Sequence, residues 1–274
     1  MSVFIPILSF LQSKMTTPTL FGAWHICSLL LVIAACVCGV ILFRNASDRT
    51  MRRVLAVIWV ILAAFEIYKQ VVYSFHISDN TITFDFQWYA FPYQFCSTPL
   101  YALPFLILMK DGPVRDFFMS FTTGFVLFAG LAVMIYPGDV FISTIGINIQ
   151  TMVHHGFQVV LGVMLVAYNR RRMTLRNTCG GIAVFALFAA AAMALNEIAY
   201  SAFAVHGIDE TFNMFFISRH YPCTLPVLGA IYPAVPYPVF LLIYLAGFAL
   251  VSLLFFGIEK GILLLIARRK HAAK

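Results

Sequence analysis

Apolar residues in this chain run in blocks far longer than an amphipathic repeat requires. From "FGAWHICSLLLVIAACVCGVILF" onward, the blocks carry almost no charge, and most are closed by a short polar or basic patch. A helix rises 1.5 Å per residue, so about 20 residues cross the roughly 30 Å hydrocarbon layer of a bilayer. Seven blocks meet that requirement and are expected to be spanning helices, at about 22–43, 53–75, 92–109, 114–135, 149–168, 180–204 and 237–258. The third is the shortest and holds Pro99 and Pro104, which a membrane helix tolerates when its neighbours satisfy the freed carbonyls. The pattern predicts an all-α polytopic membrane protein, a seven-transmembrane-helix bundle forming one domain over 1–274.

The flanks are read more simply. "SVFIPILSFLQSK" lacks the basic start and small-residue cleavage site of a signal peptide and is expected to lie at the membrane surface. "KGILLLIARRKHAAK" is expected to be an interfacial helix with a basic end. The connection at about 205–236 contains Pro222, Pro226, Pro233 and Pro236, so it is not expected to be one regular helix.

Composition agrees: 62% of residues are hydrophobic and 11% charged, against about 25% charged in a soluble domain. The net charge of +7 would raise nucleic acid as a partner if it were spread over a soluble surface. Instead the basic residues alternate between loops. Arg44, Arg49, Arg52 and Arg53 follow the first block, and Lys110 and Arg115 the third. Arg170, Arg171, Arg172 and Arg176 follow the fifth, and Lys260, Arg268, Arg269, Lys270 and Lys274 the last. The opposite side has only Lys14 and Arg219. By the positive-inside rule the N-terminus is outside and the C-terminus cytoplasmic, and no nucleic-acid partner is expected.

Orientation gives each polar residue a depth. Glu66, Lys69 and Gln70 share one face in the outer part of the second block, and Gln94 and Cys96 open the third. His154, His155 and Gln158 lie in the outer half of the fifth, with Asn196 and Glu197 in that of the sixth. His25 starts the first block and Asn213 sits in the outer loop. A charge inside the membrane costs about 2.5–3.5 kcal/mol on insertion scales and usually faces a bundle interior or cavity. A polar pocket near the outer surface is therefore expected. Simpler readings stand beside it. Glu66 and Lys69 can neutralise one another, asparagines can join helices, and a lone membrane histidine is commonly a packing residue. His154 and His155 point about 100° apart, so one of the two is expected to face the pocket.

Cys96 has three readings: a small apolar residue, a disulfide anchor with Cys223 or Cys27, or a nucleophile. Paired with His155 as base and proton donor, it suits acyl transfer through a thioester, with Glu66 or Asn196 orienting the imidazole. Asn196, Asn213 and Gln94 are candidate oxyanion donors. The outer-side histidines, which include His76, His206 and His220, raise a metal site. However, there is no HExxH and no helical i, i+4 histidine pair. No metal and no cofactor are expected.

Several short elements carry a resemblance. "YAFPYQFCSTPLYALPFLIL", "YPGDVFISTIGINIQTMVHHGFQVVLG", "ALNEIAYSAF" with "FNMFF", "AFEIYKQ" and "GAWHICSLL" occur in the order found in the YwaF-like bacterial integral membrane proteins, which the chain resembles over almost its whole length. It departs from that pattern at Gln94, where histidine is common. The resemblance implies a protein of the bacterial cytoplasmic membrane, distantly similar to a eukaryotic seven-span phospholipid acyltransferase. That relative's acyl-accepting cysteine and its histidine would fall on Cys96 and His155, with His154 second. The expected function is a membrane-embedded lipid acyltransferase or acyl hydrolase, with a phospholipid or other fatty acyl donor as partner. The alternatives are a transporter or binding protein with a protonatable Glu/Lys/His cluster, and a metal-dependent membrane hydrolase.

Overall fold

The computed structural model describes residues 4–138, 140–169 and 172–272. Arg170, Arg171 and Lys274 of the basic patches lie outside the described residues, as do the side chains of Arg269 and Lys270. A short helix α1 (Phe4–Leu11) precedes the long helices α2 (Ala23–Phe43) and α3 (Asp48–Ser74). A hairpin β1 (Phe75–Ser78) and β2 (Thr81–Phe84) follows, then single 3-10 turns and α4 (Pro99–Leu108). Next, α5 (Pro113–Phe121) passes through a π turn at Thr122–Val126 into α6 (Leu127–Ile135). The chain continues with α7 (Ile145–Tyr168), α8 (Leu175–His206), a one-turn α9 (Leu228–Ile231) and α10 (Tyr237–Ala272).

Local chemistry sets the boundaries. Ser47 caps α3 by accepting from the Thr50 amide, and Thr174 caps α8 through the Asn177 amide. Helix α8 stops where Gly207 takes a left-handed φ of 63°, a conformation other residues enter at a cost. The hairpin turns through Asp79 and Asn80, both at positive φ, the geometry that matches the twist of two short strands.

Among the described residues six helices are long and apolar enough to cross a membrane: Ala23–Phe43, Asp48–Ser74, Pro113–Ile135, Ile145–Tyr168, Leu175–His206 and Tyr237–Ile266. The protein is an all-α polytopic membrane protein. The seventh expected block, 92–109, is a shorter apolar segment, Phe95–Leu108, that opens in a 3-10 turn. Pro99 stands at the first position of its α-helix, where the missing N–H costs nothing. At the other end of the chain the expectation of a separate interfacial helix is corrected. Helix α10 runs unbroken from Tyr237 to Ala272, because no proline or cap interrupts it after Phe256.

Helices α5 to α8 form the buried centre. Phe125 stacks on Phe185 at 4.5 Å between ring centres, and Tyr244 and Phe248 of α10 close the same aromatic cluster. In contrast, α2 turns Leu30, Leu31, Ile41 and Leu42 outward, a face suited to lipid chains. Small residues let backbones meet, as expected where helix association relies on close packing. One such approach is at Gly130 of α6, where an added Cβ would lie 2.7 Å from Gln158 Cβ and 2.8 Å from the His155 carbonyl oxygen. Gly130→Ala is therefore expected to force α6 from α7 and destabilise the protein by about 1–3 kcal/mol. Its denaturation midpoint in detergent, compared with wild type, tests this.

Candidate functional site

The candidate site lies at the bundle end away from the Arg52–Arg115 cluster, where the last turns of α3, the entry to α4 and the first half of α7 converge. Residues 92–98 cannot start a regular helix because Pro92 and Pro99 bracket them. They form a 3-10 turn, Phe95–Ser97, that leaves the Cys96 carbonyl free of the helical ladder. Two side chains of α7 take up that carbonyl: His154 Nε2 donates to it at 2.9 Å and Gln158 Nε2 at 2.6 Å. Their i, i+4 spacing places both on the face turned toward α4.

The hydrogen bond fixes the His154 tautomer. Nε2 carries the proton, and Nδ1 is a buried lone pair with no partner. His155 has the opposite arrangement, its Nδ1 donating to the Thr151 carbonyl one turn back on its own helix at 2.8 Å. Of the two histidines, His154 is thus the one joined to residue 96. Helix α3 contributes the charges. Lys69 Nζ stands 2.8 Å from Glu66 Oε1, and Gln70 Nε2 donates both to that oxygen and to the Ala90 carbonyl, each at 2.8 Å. Ser97, the next residue along the chain from Cys96, adds a buried hydroxyl.

One feature distinguishes this cluster from a satisfied polar core. Glu66 Oε2, Gln70 Oε1, His154 Nδ1 and Gln158 Oε1 are all buried without a hydrogen-bond partner. Native interiors pair nearly all such atoms, since each orphan costs about 1–3 kcal/mol. Four such atoms, all acceptors when Glu66 is ionised, sit on side chains that bond the Cys96 carbonyl or belong to the Glu66–Gln70 pair, and each lacks a donor.

The other expected pocket residues are placed differently. Gln94, Asn196 and Asn213 hold the loop after α8. Asn196 donates to the Met214 carbonyl at 3.1 Å and accepts from its amide at 2.7 Å, while Gln94 clasps the Asn213 carbonyl and the Phe215 amide. Asn213 bridges the Pro222 carbonyl and the Ser218 amide. These bonds pin a strained segment, with Phe215 and Phe216 both at positive φ. Asn196→Ala, which orphans the amide of buried Met214 and leaves its carbonyl only a long bond from the Ile217 amide, is expected to lower stability by about 1–3 kcal/mol; thermal unfolding measures it. His25 is fully buried elsewhere, accepting from the Phe21 amide and donating to the Met134 carbonyl at 2.7 Å. Glu197 lies outside the cluster, paired with Arg219 and His220.

All six cysteines are free thiols, and burial pushes the Cys223 thiol up from its ordinary value, which keeps it protonated. Among the described residues no three His, Cys, Asp or Glu side chains are grouped as a metal site would need. One contributor, Ser97, escaped the sequence reading. Ser97 carries no pattern of its own. Gln70 was visible at i+4 from Glu66, but that spacing does not say that its amide bridges to Ala90.

A model of the TMEM164 family matches residues 20–257. No curated protein and no solved structure matches the chain.

Proposed function

The chain belongs to the TMEM164 family of membrane proteins, and from that premise we propose that it is a lipid acyltransferase or acyl hydrolase working through a thioester on Cys96. The observation that carries this reading is that both side chains bonded to the Cys96 carbonyl, His154 and Gln158, also hold a partnerless buried acceptor, His154 Nδ1 among them. An imidazole whose other nitrogen is fixed on a carbonyl is held in one tautomer, ready to accept a proton.

The chemistry runs in two halves. His154 takes the Cys96 proton, and the thiolate attacks the ester carbonyl of a phospholipid. The tetrahedral intermediate collapses, the C–O bond breaks, and His154 returns the proton to the departing alkoxide. A hydroxyl of the acceptor lipid, or water, then attacks the thioester after losing its proton to His154. The C–S bond breaks and the thiolate is reprotonated. Since the amides of Gln94, Asn196 and Asn213 are engaged by the loop, Ser97 and Lys69 are the better candidates to stabilise the oxyanion.

In this reading Phe95–Leu108 is the shortened seventh crossing, the N-terminus is outside, and the basic loops are cytoplasmic. An acyl chain enters sideways from the outer leaflet. The kinship with YwaF-like proteins and a bacterial cytoplasmic membrane as its home belong to the same proposal. The Glu66–Lys69 pair also suits a protonation switch in a transporter or binding protein. Mass spectrometry of Cys96 in protein purified without reductant separates the two. A hydroxylamine-labile long-chain adduct is expected. An unmodified thiol under lipid turnover, with uptake following a proton gradient, would instead establish the transporter.

A further inference from the structure

At the opposite end of the bundle a second polar group is buried without explanation. Glu259 lies within the membrane-crossing part of α10 and is 7% exposed, and its Oε1 has no hydrogen-bond partner. It borders a cavity of about 10 Å³, room for one water-sized occupant, that is also lined by Ser120, Thr123, Asn169, Thr178 and Ser252. An uncompensated carboxylate at such a place is costly, so something neutralises it.

Among the described residues, the charges nearby do not. Its neighbour Lys260 is turned to the Met173 carbonyl at 3.1 Å. Arg172 is committed to Asp111 and Asp116, and Arg176 on α8 is exposed. Two of the four hydroxyls are spent as well: Thr123 donates to the Ser120 carbonyl and Thr178 to the Thr174 carbonyl. Their oxygens thus offer lone pairs, not protons, to the cavity. The backbone is shaped around the same spot. The chain widens into the π turn at Thr122–Val126, and Gly124 lets Ser252 Oγ approach to 2.9 Å from where a Cβ would stand.

We propose that Glu259 and the surrounding hydroxyl oxygens bind one small alkali cation, of the Na⁺ class, between the π turn, α8 and α10. The ligands are all hard oxygens, which excludes soft metals by preference. The single carboxylate supplies one negative charge, which a monovalent ion balances and a divalent ion would not. The cation would tie α10 to the central helices at the basic end of the bundle, away from Cys96, so the inference is independent of the thioester chemistry.

The test is thermal unfolding of the full chain in detergent, in NaCl, KCl and choline chloride at equal ionic strength. Binding to the folded state alone raises its stability with ion concentration. The expected result is a midpoint several degrees higher in an alkali salt than in choline, rising with concentration. That difference should disappear in Glu259→Gln and shrink in Thr123→Val. Identical midpoints in all three salts for the wild-type protein would overturn the proposal, whether or not the variants fold. So would a salt effect retained in Glu259→Gln. An indifferent wild type with a Glu259→Gln variant of equal or greater stability would mean that the carboxyl carries a proton instead.

Discussion

On the proposed thioester mechanism, Cys96→Ala is expected to lose acyl transfer by roughly four orders of magnitude or more, the loss typical when the attacking group of a covalent mechanism is removed. The substitution takes away one sulfur from a half-buried position, and the 3-10 turn keeps its carbonyl, so His154 and Gln158 retain their partner. The fold should therefore survive while the chemistry does not. His154→Ala is expected to cost about 10²–10⁴-fold, the usual contribution of a positioned base. His155→Ala should lose far less, because its ring is bonded to its own helix at Thr151 rather than to residue 96. The measurement is transfer of a labelled acyl chain between phospholipids in vesicles holding each variant. Wild-type turnover in Cys96→Ala would remove the thioester mechanism. Equal losses in the two histidine variants would remove the assignment of the base to His154.

Residue types and depth account for part of this geometry. The long apolar blocks place the helix ends, and hence bring Glu66, Lys69, Cys96, His154 and Gln158 to one level of the bundle. Depth alone cannot say which way a side chain turns. His25 shares that level, yet its ring is closed between Phe21 and Met134. Asn196 and Gln94 are equally near, but they are claimed by the backbone of residues 213–215. Nothing local marks that segment as left-handed, since Phe215 and Phe216 enter positive φ only because the bonds from Gln94, Asn196 and Tyr244 compensate. The hairpin at Phe75–Phe84 leaves no clear mark in the sequence because its strands are four residues each and adjoin a spanning helix. The choice between His154 and His155 was a matter of about 100° of helix azimuth. The structure turns His154 to the Cys96 carbonyl and leaves His155 bonded to Thr151 of its own helix.

Lys69→Met is expected to destabilise the protein by about 3–5 kcal/mol, the cost of leaving one member of a buried ion pair uncompensated. Glu66 is 6% exposed and already has one oxygen without a partner, so losing Lys69 leaves it with only the Gln70 amide. If the pair exists only to neutralise itself, Glu66→Gln combined with Lys69→Met should recover most of that loss, because the double variant buries no charge. The thioester reading adds a second expectation. The recovered double variant should still transfer acyl groups poorly, since the proposed mechanism uses the Lys69 charge to stabilise the oxyanion. Reversible unfolding in mixed detergent gives the stability cycle, and the vesicle assay gives the activity. A double variant that is both stable and fully active would reduce Glu66 and Lys69 to a structural pair and leave Cys96, His154 and Ser97 to carry the chemistry without them.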